Sequence, residues 1–348
     1  MDATENDIQS RLLSFYEKEY PTRENTRILN LTRISDGWEN DVYSFTIHYE
    51  NGARQTYEDR ILRIYPGDDA TKKSAHEFAT MKRLHAVGYP VPEVLLLKSD
   101  SSHLGKPFVI MEKIDGRTLD DVTSESSEEK KGELLTLACK LFVELHTLDW
   151  RPFVADPLPY ATEEPSDIMS DQLTQFQARV HNFQRAEFDP IFDWLEQRAK
   201  NIKYDRLSVI HGDYHPRNIL VRNDGAPFVI DWGNSRVLDY RLDLALTTIL
   251  ISTHGHPEAR EIFLNEYERI AGCRIEGIEY FEVVACLVRL FNISVSLRDG
   301  ASKLGMRPGA EALMKQNVGH IQNVYELLLN RIDIPIPEIE RLVNEILS

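Results

Sequence analysis

Hydrophobic and polar positions change rhythm twice along the chain. Near the start, Ile8, Leu12, Leu13, Phe15 and Tyr16 recur at helical intervals, which predicts an amphipathic helix. From there to about residue 112, alternation and β-branched or aromatic runs predict strands over 27–34, 42–49 and 56–64, with Asn51-Gly52 as the hairpin turn between the second and third. A helical period over 70–86 closes at Gly88, and two more apolar strands follow at 93–97 and 107–112. Beyond Asp115-Gly116 the pattern is mostly helical, over 127–147, 168–200, 240–252, 257–271, 277–298, 308–330 and 335–347. One strand-rich island, 208–230, interrupts it, with turns at His215-Pro216 and Asn223-Asp224-Gly225. The expectation is a two-lobed α+β chain: a five-stranded lobe with one helix over 1–113, and a larger, mainly helical lobe over 114–348.

Composition narrows what such a chain does. Its 348 residues, 42% apolar and 28% charged, are those of a globular protein with room for two domains or one large two-lobed one. Forty Lys and Arg against 56 Asp and Glu give a net charge of −16, spread evenly, which argues against nucleic acid and anionic membrane surfaces as partners. The three cysteines, Cys139, Cys273 and Cys286, form no C-x-x-C pair and read as free thiols in a reducing compartment. The first residues lack the basic and apolar runs of a signal peptide, and the longest uncharged apolar stretch, 244–252, is far short of a membrane span. A cytoplasmic location away from membranes is therefore expected; oligomeric state is not legible.

The strand-rich island carries the chemistry. Between Val209-Ile210 and Ile219-Leu220-Val221 lies His211-Gly212-Asp213-Tyr214-His215-Pro216-Arg217-Asn218, and the next strand, Pro227 to Ile230, ends in Asp231-Trp232-Gly233. Short apolar strands thus present Asp213, Asn218 and Asp231 at their ends. Phosphoryl transfer needs such a set: a carboxylate to orient and deprotonate a hydroxyl, with an amide oxygen and a second carboxylate to hold Mg²⁺ against phosphates. The four-residue gap from Asp213 to Asn218 matches the protein-kinase catalytic loop, and Asp231-Trp232-Gly233 stands where Asp-Phe-Gly would.

His-Gly-Asp-x-His-x-x-Asn followed by Ile-Asp-Trp resembles the aminoglycoside phosphotransferase family of small-molecule kinases, which shares the protein-kinase-like fold, and the resemblance covers nearly the whole chain. It implies that Asp213 is the catalytic base, Asn218 and Asp231 are Mg²⁺ ligands, and His211 and His215 shape the catalytic loop. Asp243 matches a position that braces that loop. The implied cofactors are Mg²⁺ and ATP, with GTP as the alternative nucleotide. The implied partners are that nucleotide and a small molecule bearing a hydroxyl.

The first lobe should then cradle the nucleotide. Ser35 to Asp41 lies between two strands where this fold places a phosphate loop; it contains Gly37 and Asn40 but is not G-x-G-x-x-G. Arg63, in Ile61-Leu62-Arg63-Ile64, occupies the place of the phosphate-binding lysine and can fork onto phosphate oxygens. Its natural partner is Glu77 on the following helix, although Lys72 or Lys73 could reach in instead. By the resemblance, backbone groups from Glu112 to Ile114 form the hinge that holds the purine.

Two other readings compete. A metal-dependent hydrolase could use His211, Asp213, His215 and Asp231, but Gly212 and Pro216 argue against the helix that a His-x-x-x-His zinc pair favours. A non-catalytic kinase-like binding module would normally have lost Asp213, Asn218 or Asp231. For the acceptor, the segment 151–196 combines acids (Asp156, Glu163, Glu164, Asp167) with aromatics (Phe153, Tyr160, Phe176, Phe183, Phe192, Trp194), which suggests an amine-bearing molecule such as an aminoglycoside, held by charge and cation–π contact. The same composition also fits a solvated helix face over core aromatics.

Overall fold

Alternation in the first hundred residues is realised as a five-stranded antiparallel sheet. The computed structural model describes residues 3–34, 40–158, 160, 164–204, 206–253, 258–306 and 309–348. Helix α1 (Ala3–Glu19) leads into β1 (Glu24–Ile34), β2 (Asp41–Asn51) and β3 (Arg54–Ile64); α2 (Ala70–Ala86) then crosses to β4 (Val94–Lys98) and β5 (Phe108–Glu112). The sheet order is β1-β2-β3-β5-β4. Leu12, Phe15 and Tyr16 of α1 bury against Ile28, Leu31, Phe45, Ile47, Leu62 and Phe108, so the apolar stripe of the helix and the inward face of the sheet make one core. The β2–β3 hairpin turns at Gly52, whose φ of +59° is open to glycine without strain.

After β6 (Gly116–Thr118) come α3 (Leu119–Ser124) and α4 (Glu128–Thr147), capped by Thr118 and Ser127, whose hydroxyls accept from Asp121 N and Lys130 N. The helical run expected over 168–200 is two helices, α5 (Pro165–Asn182) and α6 (Asp189–Ala199). The break comes at Gln184, in the left-handed region at φ +56°, and Pro190 then opens α6. The island is β7 (Leu207–Ile210), β8 (Ile219–Arg222) and β9 (Pro227–Val229), followed by β10 (Arg236–Asp239), which pairs antiparallel with β7. Four residues leading straight into a helix give β10 too little pattern to be seen in the sequence.

Five elements named α7 (Tyr240–Thr253), α8 (Ala259–Ala271), α9 (Ile278–Val295), α11 (Val318–Ile332) and α12 (Pro337–Leu347), with the short α10 (Ala310–Gln316), complete the chain. The single helix expected over 308–330 is interrupted at Asn317, and the one over 277–298 gives way after Val295 to a π-helical turn, Ser296–Gly300. Residues Ile278–Leu304 are long and apolar enough to match a membrane span by composition, but 78% of that window is buried in the protein. It is the central core helix of this part of the molecule, with Phe281, Leu287, Leu290 and Phe291 fully buried.

Two compact units emerge. One is Met1–Gly116 with Arg222–Gly233 and Gly305–Ala310; the other is Arg117–Val221, Asn234–Leu304 and Glu311–Ser348. A single boundary at 113/114 therefore misses two returns of the chain. The first return is held by Val229 N–H donating to Pro90 O (2.8 Å) and by Trp232, fully buried and edge-on to Tyr89.

Candidate active site

In the second unit, the catalytic-loop motif hangs from one buried carboxylate. Asp243, in the first turn of α7, is fully buried; its Oδ2 accepts from His211 N (2.6 Å) and its Oδ1 from Gly212 N (2.8 Å). His146 of α4 gives a third contact, Nε2 to Asp243 Oδ2 at 3.2 Å, while its Nδ1 meets Tyr267 Oη at 2.9 Å. Burial lowers the His146 pKa, against the pull of Asp243, so the ring is neutral. A carboxylate can only accept, which assigns the proton to Nε2 and leaves Nδ1 to accept from Tyr267. Gly212 is required here: φ is +80°, and a Cβ would lie 2.6 Å from Asn234 O.

Side chains along the loop alternate between core and solvent. Tyr214 stacks on Phe142 (4.0 Å, 3°) and donates to Ala138 O (2.7 Å), and Thr247 of α7 donates to Tyr214 O (2.8 Å). His211 also points inward, fully buried, with Nδ1 accepting from Asp213 N (3.2 Å). Asp213 and His215 instead remain 33% and 24% exposed, with His215 Nε2 3.6 Å from Asp213 Oδ2. Asn218 Nδ2 donates to Asp213 O (2.9 Å) and approaches Asp213 Oδ2 (3.4 Å) and His215 Nε2 (3.2 Å). These contacts all engage the amide nitrogen of Asn218 and leave its Oδ1 outside them. Desolvation pushes the Asp213 pKa up, but the contact with His215 and the Arg289 charge outweigh it, so the carboxyl titrates below its ordinary value. It is ionised throughout the neutral range, as a base must be.

The first unit assembles the other expected residues. Arg63 of β3 reaches Glu77 Oε1 (2.9 Å) and Asp231 Oδ1 (2.6 Å). Its guanidinium also faces the Asn40 amide, whose oxygen, placed toward it, accepts from Nη2 (2.7 Å) and Nε (2.9 Å). Glu77 is 1% exposed and takes Tyr65 Oη at 2.5 Å and the backbone N–H of Trp232 besides Arg63. Lys73 pairs instead with Asp69 (3.5 Å), and Lys72 is exposed, so Arg63 is the cation that Glu77 holds. Asp231 adopts φ +68°, and its side chain is 42% exposed, with Oδ2 outside the Arg63 contact.

At the end of β5, between β3 and β4, Glu112 exchanges backbone and side-chain contacts with Glu93, while Lys113 and Ile114 leave the ladder with no backbone partner among the described residues. Gly37 lies outside the described residues, as does Glu163. Sequence reasoning missed His146, Tyr267, Tyr65 and Thr247, all of which act through another residue; a histidine on the buried face of α4 was the one visible signal.

Among the described residues of segment 151–196, three of the acids and two of the aromatics are set apart. Asp156, Glu164 and Asp167 are exposed, whereas Phe176 and Phe183 pack their rings on Phe291 of α9 at 5.3 and 5.8 Å. Among the described residues, no three His, Cys, Asp or Glu side chains gather as a metal site of the kind a zinc hydrolase needs.

A family model described as "Phosphotransferase enzyme family" matches residues 30–277. Among curated proteins, acyl-CoA dehydrogenase family member 11 of Pongo abelii is 27% identical over 207 residues, 58% of this chain and 24% of that protein. The Gallus gallus counterpart is 29% identical over 227 residues, 63% of this chain and 28% of that protein. The chain thus spans about a quarter of the length of the curated relatives it matches. Among solved structures, a thermostable mutant of aminoglycoside phosphotransferase APH(4)-Ia in ternary complex with ADP and hygromycin B has a TM-score of 0.55 at 18% identity, covering 90% of this chain and 97% of that one. LicA in complex with AMP has a TM-score of 0.57 at 14% identity, covering 95% and 100%. The fold is therefore shared with these proteins, and, with the family model spanning more than half its length, the chain belongs to the phosphotransferase enzyme family.

Proposed function

We propose that this phosphotransferase moves the γ-phosphate of ATP, or of GTP in its place, to a hydroxyl of a small molecule. The observation that carries the reading is Asp213: an ionised, partly exposed carboxylate on a loop whose backbone is fixed by Asp243. In this reading Asp213 accepts the proton of the attacking hydroxyl, and its pairing with His215 and Asn218 holds it in one orientation. Magnesium, arriving with the nucleotide, supplies charge neutralisation at the phosphates. Asn218 and Asp231 each keep an oxygen that no described donor occupies, which is the hard ligand Mg²⁺ prefers. Arg63, fixed by Glu77, supplies the cation for phosphate oxygens, and Ile114 offers backbone groups for a purine. Of the residues that suggest an amine-bearing acceptor, Asp156, Glu164 and Asp167 are exposed, while Phe176 and Phe183 are turned onto Phe291.

Mg-ATP at a hundredfold excess over its Kd is expected to stabilise the protein by about 2.7 kcal/mol, read as a rise in melting temperature. No shift with millimolar Mg-ATP or Mg-GTP would remove the reading. Glu77→Ala is expected to weaken that binding although Glu77 touches no phosphate, since it removes the buried carboxylate from Arg63 and leaves the guanidinium to Asp231 and the neutral Asn40 amide. Unchanged nucleotide affinity in this variant would show that Arg63 does not depend on Glu77.

A further inference from the structure

Helix α9 is buried on nearly every side, but one narrow strip is not. In its second half, Val288, Arg289 and Asn292 are only partly covered, while Leu287, Leu290, Phe291, Ile293 and Ser294 are buried. Positions 288, 289 and 292 fall on one face of a helix. This is an unusual place for an arginine: no carboxylate of the described residues lies within ion-pair distance of it. What holds it is a neutral acceptor. Arg289 Nε donates to His320 Nε2 (3.0 Å), and His320 Nδ1 meets Thr253 Oγ1 (2.8 Å), whose own hydrogen goes to Ile249 O (2.6 Å). That order of donors makes His320 a neutral ring with its proton on Nδ1, so one edge of the guanidinium is anchored without its charge being neutralised. One turn further along, the Asn292 side-chain oxygen is buried and has no partner.

The strip belongs beside the catalytic loop. Helix α9 packs along α7, and α7 supports that loop through Asp243 and through Thr247, which donates to Tyr214 O. Arg289 is near enough to Asp213 for the two charges to act on each other, without forming an ion pair. A charged, anchored, partly open guanidinium near a base is a receptor for an anion, and it repels a cation.

Building on the phosphotransferase reading above, we propose that Arg289 is the specificity residue of the acceptor site, and that the acceptor carries an anionic group, a carboxylate or a phosphate, which docks on the Arg289 fork while its hydroxyl meets Asp213. Asn292 supplies a polar contact one turn away. The chemistry of transfer is unchanged: the acceptor O–H bond breaks to Asp213, a new O–P bond forms to the γ-phosphorus, and the bond to the leaving nucleoside diphosphate breaks. Arg289 takes no part in those steps; it selects what is presented.

The test uses the full chain and three compounds with an anion, glycerate, gluconate and glucose 6-phosphate, beside neutral glycerol and glucose and cationic glucosamine. Melting temperature is measured with each compound, without and with Mg-ATP, for the wild type, Arg289→Met and Arg289→Lys; coupled ADP release is followed for any compound that turns over. At least one anionic compound should raise the wild-type melting temperature more than its neutral counterpart, with Arg289→Met losing that shift and Arg289→Lys keeping part of it. Where there is turnover, Arg289→Met should raise KM for the anionic acceptor on the order of ten- to hundredfold, the worth of one charge-assisted contact, with kcat nearly unchanged. The comparison of carboxylates with the phosphate ester tells which anion the site takes. Equal shifts in wild type and Arg289→Met, no shift with any anionic compound, a preference for glucosamine, or a fall in kcat at constant KM would each overturn the proposal. The Mg-ATP arm keeps the two ideas separate: an Arg289-dependent anion shift without a nucleotide shift removes the kinase reading and leaves the anion site, and the converse removes only the anion site.

Discussion

Asp213→Asn is expected to lower turnover by a factor on the order of 10² to 10⁴ while leaving the Mg-ATP melting shift in place. The substitution keeps the shape of the side chain and removes only its ability to take a proton. The firmest hydrogen bond of Asn218 in this loop goes to the backbone carbonyl of residue 213, at 2.9 Å, and so survives the change. The depressed pKa of Asp213 makes the comparison clean, because the wild-type group is ionised throughout neutral pH and the variant differs from it in charge and basicity alone. Single-turnover phosphoryl transfer alongside thermal shift separates the two readouts. Activity within about threefold of wild type would remove Asp213 from the role of base.

Asp243→Ala should have the largest effect on stability. It withdraws one buried carboxylate from three donors at once, His211 N, Gly212 N and His146 Nε2, and leaves all three in a site that water does not reach. Breaking a buried charged pairing from one side costs about 3–5 kcal/mol, so a lowered midpoint in urea unfolding is expected together with loss of activity. Asp243→Asn should retain part of both, since an amide oxygen can still accept from one backbone N–H. A variant with native stability but no activity would show that Asp243 does more than suspend the loop.

Much of this was legible in the sequence because the residues that do chemistry are flanked by short, strongly apolar strands. Val209-Ile210 before His211 and Val229 before Asp231 are buried as their composition requires, and the polar residues between them have few places to go. The pairing of Arg63 with Glu77 was also readable, since the first helix after a strand brings a carboxylate within reach of that strand's face. Less visible was everything that depends on contacts distant in sequence. His146 lies 97 residues from Asp243, and nothing local marks it as the donor that completes that carboxylate's shell. Arg289 looked like one charged interruption in an apolar helix; its meaning depends on His320, 31 residues away, and on the absence of an acid beside it. The acids of segment 151–196 are equally hard to read from composition: Asp156, Glu164 and Asp167 are exposed, while Phe176 and Phe183 are committed to Phe291, a partner more than a hundred residues away.

Phe291 sits two positions after Arg289, and Phe176, Phe183 and Phe188 close around its ring at 5.3, 5.8 and 6.1 Å. At about 100° per residue Phe291 lies about 160° from Arg289 but only about 60° from Val288, so the packed face of this helix and its partly open strip adjoin at Val288, with Arg289 on the far side. The side holding Phe291 ties segment 165–199 to the rest of the unit and tolerates little change in volume. Val288 borders that packed side and the Asn292 oxygen is buried, whereas Arg289 faces away from Phe291 and is held by one hydrogen bond to His320. On the proposal above, acceptor preference is therefore most open to change at position 289, which makes it the natural starting point for turning the same protein toward a different alcohol.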